Sequence, residues 1–235
     1  MIQIKKLYKK FGKVEVLKGL NLDIASGGIF AVLGPNGSGK TTLIKSILGM
    51  VIPNKGSIKI NNKNVLGKYF YRDNIDYLPQ IANFPNNLTV IELIGMIKNL
   101  RKKDTNDEEL IDKFGLVPFL SQKLGNLSGG TRQKVNILLT FMFDSELIIL
   151  DEPTTGLDPI SLIHLKEIIR KEKQKGKTIL ITSHIMSFVE EIADEIVFLL
   201  DGKIYFKGTM VYLKEQTKQK NLEQAIAKIL TDQNV

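Results

Sequence analysis

The sequence predicts an α/β protein: a mostly parallel sheet covered by helices, with an antiparallel β part at its N-terminus and an inserted all-helical subdomain. Three observations predict it. Short apolar, β-branched runs alternate with helical stretches, the pattern of a parallel sheet with helices on both faces. The start of the chain instead reads as two adjacent strands with no helix between them. From about Ile81 to Phe143 the strand signal stops.

The elements follow in order. "IQIKKLYK" and "VEVLKGLNLDI" are the two N-terminal strands, the second with partial alternation of apolar and polar residues. "IFAVLG" is a buried strand that runs into a glycine-rich loop and a helix from about Gly39 to Met50. Further strands are expected at "GSIKI", "NIDYLP", "ELIIL", "KTILITS" and "EIVFLLDGKIYF". In the strand-free region "LTVIELIGMIKNL" is a helix, with Thr89 and Glu92 at capping-box spacing. "DEELIDKFGL" and "TRQKVNILLTFMF" are helical too. The expected organisation is one domain: a core of residues 1–80 and 144–215, a helical subdomain of 81–143, and a tail of 216–235. In that tail "NLEQAIAKIL" sets Leu222, Ala225, Ile226, Ile229 and Leu230 on one helical face, expected to pack on the same domain.

Composition excludes several classes. There is no cysteine among the 235 residues, which removes disulfides and thiolate metal sites. No apolar run approaches the roughly 20 residues needed to span a bilayer. The N-terminal "MIQIKKLYKK" lacks the apolar stretch of a signal peptide, so a cytoplasmic location is expected. Lys and Arg total 33 against 25 acids, a net charge of +8. That excess would suit nucleic acid or an anionic membrane, but the lysines are scattered as on solvated faces. No nucleic-acid partner is expected.

Two motifs carry chemistry. "GPNGSGKT" fits G-x-x-x-x-G-K-[ST] in the required context, after a buried strand and opening a helix. Gly34, Pro35, Asn36, Gly37, Ser38 and Gly39 form a loop whose N–H groups can wrap phosphates, helped by the positive end of the helix. Lys40 is placed for the β- and γ-phosphates, the Thr41 hydroxyl for Mg²⁺, and Thr42 for the α-phosphate. "LIILDEP" ends an apolar strand on two acids, costly if buried without partners. At the mouth of a parallel sheet, Asp151 can face Mg²⁺ and Glu152 the attacking water.

With these motifs and their neighbours, the chain resembles the nucleotide-binding subunit of an ATP-binding cassette (ABC) transporter, over about residues 2–215. Gln80 in "YLPQ" matches the family's glutamine loop, and "LSGG" matches its signature with Ser128, Gly129 and Gly130. "GLDP" places Asp158 in the loop after the second motif, and His184 in "TSH" sits where the switch histidine belongs. Phe11 in "KKFG" occupies the position of the aromatic that stacks on adenine, and Val16 lines the same pocket. His164, with no motif around it, is read as structural.

The resemblance implies a P-loop NTPase core that binds ATP and Mg²⁺. It implies a head-to-tail homodimer in which the signature of one subunit closes on the γ-phosphate held by the other. Catalysis would rest on Lys40, Gln80, Glu152 and His184, with Thr41, Gln80 and Asp151 around the metal. A separate transmembrane permease would dock near Gln80 and "NFPNNLTV", holding the subunit on the inner face of the plasma membrane. The short single cassette is similar to those of exporters with compact permeases, including the copper-processing transporter of nitrous-oxide reductase maturation. One residue departs from the pattern: Thr131 stands where the family usually has Gln after "LSGG", which should weaken a contact toward the nucleotide sugar. Two other classes compete. A non-transport ABC-type ATPase acting on nucleic acid or ribosomes would carry zinc-binding cysteines, coiled coils or two cassettes. A small-molecule kinase would lack "LSGG" and "GLDP".

Overall fold

The structure, a computed structural model, describes residues 1–231. The last four residues of the expected tail, 232–235, lie outside them. By internal packing the chain forms two compact units: Met1–Tyr69 together with the chain from Leu180 onward, and Phe70–Ile179.

The first unit opens with an antiparallel sheet. Strands β1 (Ile2–Phe11) and β2 (Val14–Ile24) pair from Ile2 opposite Ile24 to Phe11 opposite Val14. The register slips between Ile4 and Leu7. Lys6 there has a left-handed φ of 47° and donates its N–H to the Asn21 side chain at 2.9 Å. The slip lets Ile2, Ile4 and Leu7 all face the core, although their spacing is not a strict alternation. β3 (Gly28–Leu33) is buried along nearly its whole length and feeds the phosphate loop and α1 (Lys40–Ile47). β4 (Lys55–Ile60) and the short β5 (Lys63–Asn64) complete the antiparallel sheet in the order β2-β1-β4-β5. Asn61 and Asn62, both left-handed, make the two-residue turn between them.

The second unit starts with a 3-10 turn at Phe70–Asn74 and then β6 (Ile75–Leu78). Next comes α2 (Val90–Arg101), whose capping box forms as expected. The Thr89 N–H donates to Glu92 Oε2 at 2.8 Å, and the Glu92 N–H donates to Thr89 Oγ1 at 3.3 Å. α3 (Asp107–Lys113) and α4 (Gly129–Phe141) follow, so the helical stretch expected at 81–143 lies wholly in this unit. Two short 3-10 turns and an isolated bridge between Thr89 and Lys123 link them. β7 (Leu147–Asp151) is entirely buried and runs parallel to β6, with Ile75 opposite Leu147 and Leu78 opposite Leu150. α5 (Pro159–Gln174) has Pro at its first position and Lys171 and Lys173 in its last turn, as the helix dipole favours. His164 on α5 meets the Phe114 ring edge-to-face at 6.0 Å, a packing role.

β8 (Thr178–Thr182) contains the boundary between the units. After it come α6 (Met186–Ile192), β9 (Glu195–Leu200), β10 (Lys203–Thr209), α7 (Met210–Thr217) and α8 (Leu222–Thr231). β9 runs parallel to β3, and β10 is antiparallel to β9. This corrects the single strand expected for "EIVFLLDGKIYF". The run is a hairpin, turned at Asp201 and Gly202, whose φ values of 46° and 75° suit a two-residue turn of the primed type. α8 buries Leu222, Ala225 and Ile226, while Ile229 and Leu230 are half-buried. Glu190 on α6 fixes these last helices, accepting from Lys214 Nζ at 2.7 Å and from the Leu222 N–H at 2.9 Å. Among the described residues, no helix is long and apolar enough to cross a membrane.

Candidate functional site

The residues expected at the site fall in both units. Phe11, Val16, Gly34–Thr42 and His184 belong to the first; Gln80, Ser128–Gly130, Asp151, Glu152 and Asp158 belong to the second.

In the first unit the loop Gly34–Gly39 wraps tightly between β3 and α1. A Cβ on Gly34 would lie 2.0 Å from the Leu199 carbonyl of β9, so no side chain fits. The Ser38 N–H donates to the Pro35 carbonyl at 3.2 Å, which closes the turn. The Ser38 hydroxyl is buried and has no hydrogen-bond partner among the described residues. A buried hydroxyl without a partner costs about 1–3 kcal/mol, so a polar ligand at this loop is the natural complement. Lys40 Nζ arches back over the loop to the carbonyls of Gly34 (2.7 Å) and Pro35 (3.1 Å). Thr41 is exposed on the first turn of α1, and Thr42 is half-buried beside it. These features fit a phosphate chain. Behind the loop, the Gly202 N–H of the β9–β10 turn donates to the Ser38 carbonyl at 3.1 Å.

Phe11 is 50% exposed at the end of β1, so it is not a core phenylalanine. Lys9 Nζ lies 4.8 Å from its ring centroid. Val16 is half-buried on β2. His184 is exposed just after β8, in a bend where the Ile185 N–H donates to Ser183 Oγ at 3.1 Å.

In the second unit, Asp151 and Glu152 end β7 and are both buried, 4% and 7% exposed. Glu152 has a φ of 51°, a left-handed conformation that costs a non-glycine residue on the order of 1–3 kcal/mol. Such strain persists only where the surroundings hold it. Burial, and then the negative charge of Asp151, pushes the Tyr77 phenol up to about 12. The hydroxyl of Thr41 and the carboxylate of Asp151 are hard oxygen donors. Each, within its own unit, is of the kind that Mg²⁺ takes as a ligand.

α4 begins at the signature. Ser128 caps it, its Oγ accepting the Thr131 N–H at 3.1 Å, and Ser128 and Gly129 are exposed. A Cβ on Gly130 would come within 2.8 Å of the Gly156 carbonyl, so the helix start is packed on the loop after Glu152. Asp158 in that loop caps α5, accepting the Ser161 N–H at 2.8 Å, and pairs with Lys134 of α4 at 2.7 Å. Lys134, then the Ser161 N–H and hydroxyl, hold its carboxyl far below the usual range.

Two residues escaped the sequence reading. Gln133 and Asn136 sit buried on α4. Gln133 Nε2 donates to the Pro153 carbonyl at 3.0 Å, the residue after Glu152. Asn136 Nδ2 donates to the Pro79 carbonyl at 3.1 Å, the residue before exposed Gln80. One helix therefore presents the signature at its start and grips the backbone beside two expected catalytic residues further along. Only the polar character of both residues on a buried helix face could have signalled this.

Comparison with known proteins places the fold and the family. The family model described as "ABC transporter" matches residues 17–155. The lantibiotic transport ATP-binding protein SrtF of Streptococcus pyogenes is 34% identical over 228 residues, covering 95% of each chain. A solved structure described as the ATP-binding subunit of an ABC transporter superposes with a TM-score of 0.91 at 29% identity, covering 98% of this chain and 99% of that one. The ATP-binding cassette MJ0796, solved as a dimer in a post-hydrolysis state with ADP and Pi, gives 0.79 at 25% identity, covering 89% and 99%.

Proposed function

The chain belongs to the ABC transporter family, and from that premise we propose that it is the ATPase subunit that powers an exporter through nucleotide-driven closure of a head-to-tail dimer. It hydrolyses ATP to ADP and phosphate and works with a membrane permease and a second cassette. One observation carries the dimer reading. A single chain holds a complete phosphate loop at the start of α1 and, separately, an exposed serine-capped helix start at α4.

Each residue then has a role. Phe11 stacks on adenine and Val16 lines that pocket. The loop N–H groups, the Ser38 hydroxyl and Lys40 take the phosphates. Thr41, Asp151 and Gln80 would hold Mg²⁺, which when bound would neutralise charge on the phosphates. Glu152 orients the water whose oxygen bonds to the γ-phosphorus as the bond to the β-phosphate oxygen breaks, and His184 keeps that water in line. Catalysis of this kind is mostly positioning and electrostatics. Ser128, Gly129 and Gly130 act on the γ-phosphate held by the partner, with Asp158 in the loop beside them. The permease docks near Gln80 and holds the subunit on the inner face of the plasma membrane.

The family's transport description and the lantibiotic relative support transport over the alternative of a nucleic-acid or ribosome ATPase. They lend no support to the copper-processing reading. Export is tested with permease-bearing inside-out vesicles and a fluorescent lantibiotic as first probe. ATP-driven uptake into the vesicles supports export, and ATP-driven release overturns it.

The dimer reading is tested by mixing two inactive chains, Lys40→Ala and Ser128→Arg. In the mixed dimer one site combines an intact Lys40 from one chain with an intact Ser128 from the other. ATPase activity should return in part. With subunit exchange confirmed, no gain in hydrolysis or in ATP-dependent pairing would mean that the signature serves its own chain.

A further inference from the structure

Thr131, the one departure from the family pattern, does not stand idle. Its Oγ1 lies 2.9 Å from the Oγ of Ser128, while its own N–H reaches the same Ser128 oxygen at 3.1 Å. Thr131 is half-buried, and Ser128 is exposed at the start of α4. The proton in the short hydroxyl pair can run either way, and the two directions have opposite consequences.

A serine hydroxyl has one proton to give and two lone pairs to accept with. The Thr131 N–H uses one lone pair. If Thr131 also donates its hydroxyl proton, both lone pairs are used. Only the Ser128 proton is then left to face outward, and two incoming donors polarise that O–H further. If Ser128 instead gives its proton to Thr131, a lone pair faces outward and repels an anion. A phosphate oxygen selects the first arrangement. Valine at this position has no hydroxyl to donate, and Ser128 would keep only its backbone tether; glutamine would bring an amide N–H donor on a longer side chain.

We propose that Thr131 is a positioning residue whose hydroxyl donates to Ser128 Oγ and so turns the Ser128 proton toward a phosphate oxygen. The proposal rests on the reading above that Ser128 meets a γ-phosphate held by the partner subunit. It gives this departure a role in orienting the donor at the signature.

The test measures ATP- and Mg²⁺-dependent pairing of the full chain by analytical ultracentrifugation. All variants carry Glu152→Gln, so that hydrolysis does not reopen the pair. Thr131→Val, nearly the same shape without the hydroxyl, should weaken pairing by about 3- to 10-fold, the range of one hydrogen bond. Thr131→Ser should pair like the parent. Affinity of the single chain for a fluorescent ATP analogue, read below the pairing concentration, should not change in any of them. A merely structural role for Thr131 would move thermal stability and would not divide the variants by hydroxyl content. Pairing of the Val variant that equals or exceeds the parent overturns the proposal, as does a Ser variant as weak as Val. Ser128→Ala separates the two layers. If it weakens pairing and Thr131→Val does not, only this proposal fails; if Ser128→Ala pairs normally, the reading beneath it fails as well.

Discussion

Replacing Gln133 with leucine should cripple hydrolysis without touching the nucleotide loop. The side chain is buried, and its Nε2 is the donor to the Pro153 carbonyl at 3.0 Å. Leucine fills similar space but cannot donate. Losing a buried hydrogen bond in this way costs about 1–3 kcal/mol, since the carbonyl loses its donor. The left-handed backbone of Glu152, one residue earlier, stores on the order of 1–3 kcal/mol of strain. The two quantities match in size, so the lost bond removes about what holds the strain in place. Glu152 should then relax, and a displacement near 1 Å at a reacting group can cost about 100-fold. We expect kcat at saturating ATP to fall between about 10- and 100-fold. Affinity for ATP should remain near that of the parent, because nothing at Gly34–Thr42 is altered. The melting temperature should drop by about 2–4 °C per kcal/mol for a chain of this size. Gln133→Glu, of the same size but bringing an acceptor to the carbonyl, should be at least as damaging. A folded leucine variant with kcat within about twofold of the parent would refute the argument that α4 fixes Glu152.

Two further predictions follow from the geometry. Phe11→Ala should weaken ATP binding by about 1–2 kcal/mol, the size of a lost stacking contact, with Phe11→Tyr nearly neutral; equal affinities by calorimetry would remove the stacking role. Arg101 forms an ion pair with Asp76 at 2.5 Å, and burial holds the Asp76 carboxyl above its ordinary range despite that pairing. Removing the guanidinium in Arg101→Met leaves a buried unpaired carboxylate, a cost of about 3–5 kcal/mol at neutral pH. Because the folded-state pKa lies above the unfolded one, the penalty is full above the folded pKa and fades as pH falls through it and Asp76 protonates. Denaturant midpoints should therefore converge between parent and variant in acid, and Asp76→Asn in the same chain should restore most of the loss at pH 7. A deficit that grows toward acid would contradict the assignment.

Much of the site could be read from the sequence because its parts are local. The phosphate loop, the Thr89–Glu92 capping box and the serine cap of α4 each depend on residues within a few positions, where spacing alone fixes geometry. What stayed hidden joins distant residues. The Gln133–Pro153 and Asn136–Pro79 bonds span 20 and 57 residues, and a side chain bonded to a remote carbonyl leaves no periodic trace. The β9–β10 hairpin was masked differently. Asp201–Gly202 is a strong turn signal, but the apolar run on either side reads as one continuous strand.

That same hairpin matters to anyone who engineers the protein. A two-residue surface turn is where a tag, a reporter or an inserted domain would ordinarily be placed. Here the turn is a brace. Gly202 is buried, gives its N–H to the Ser38 carbonyl and takes the Lys18 N–H at 3.0 Å, and a Cβ on it would strike the Val16 carbonyl at 2.4 Å. An insertion at 201–202 would therefore behave as a lesion of the phosphate loop, more than 150 residues away in the chain. In a library scored by growth, failures at this turn belong with those of the nucleotide site.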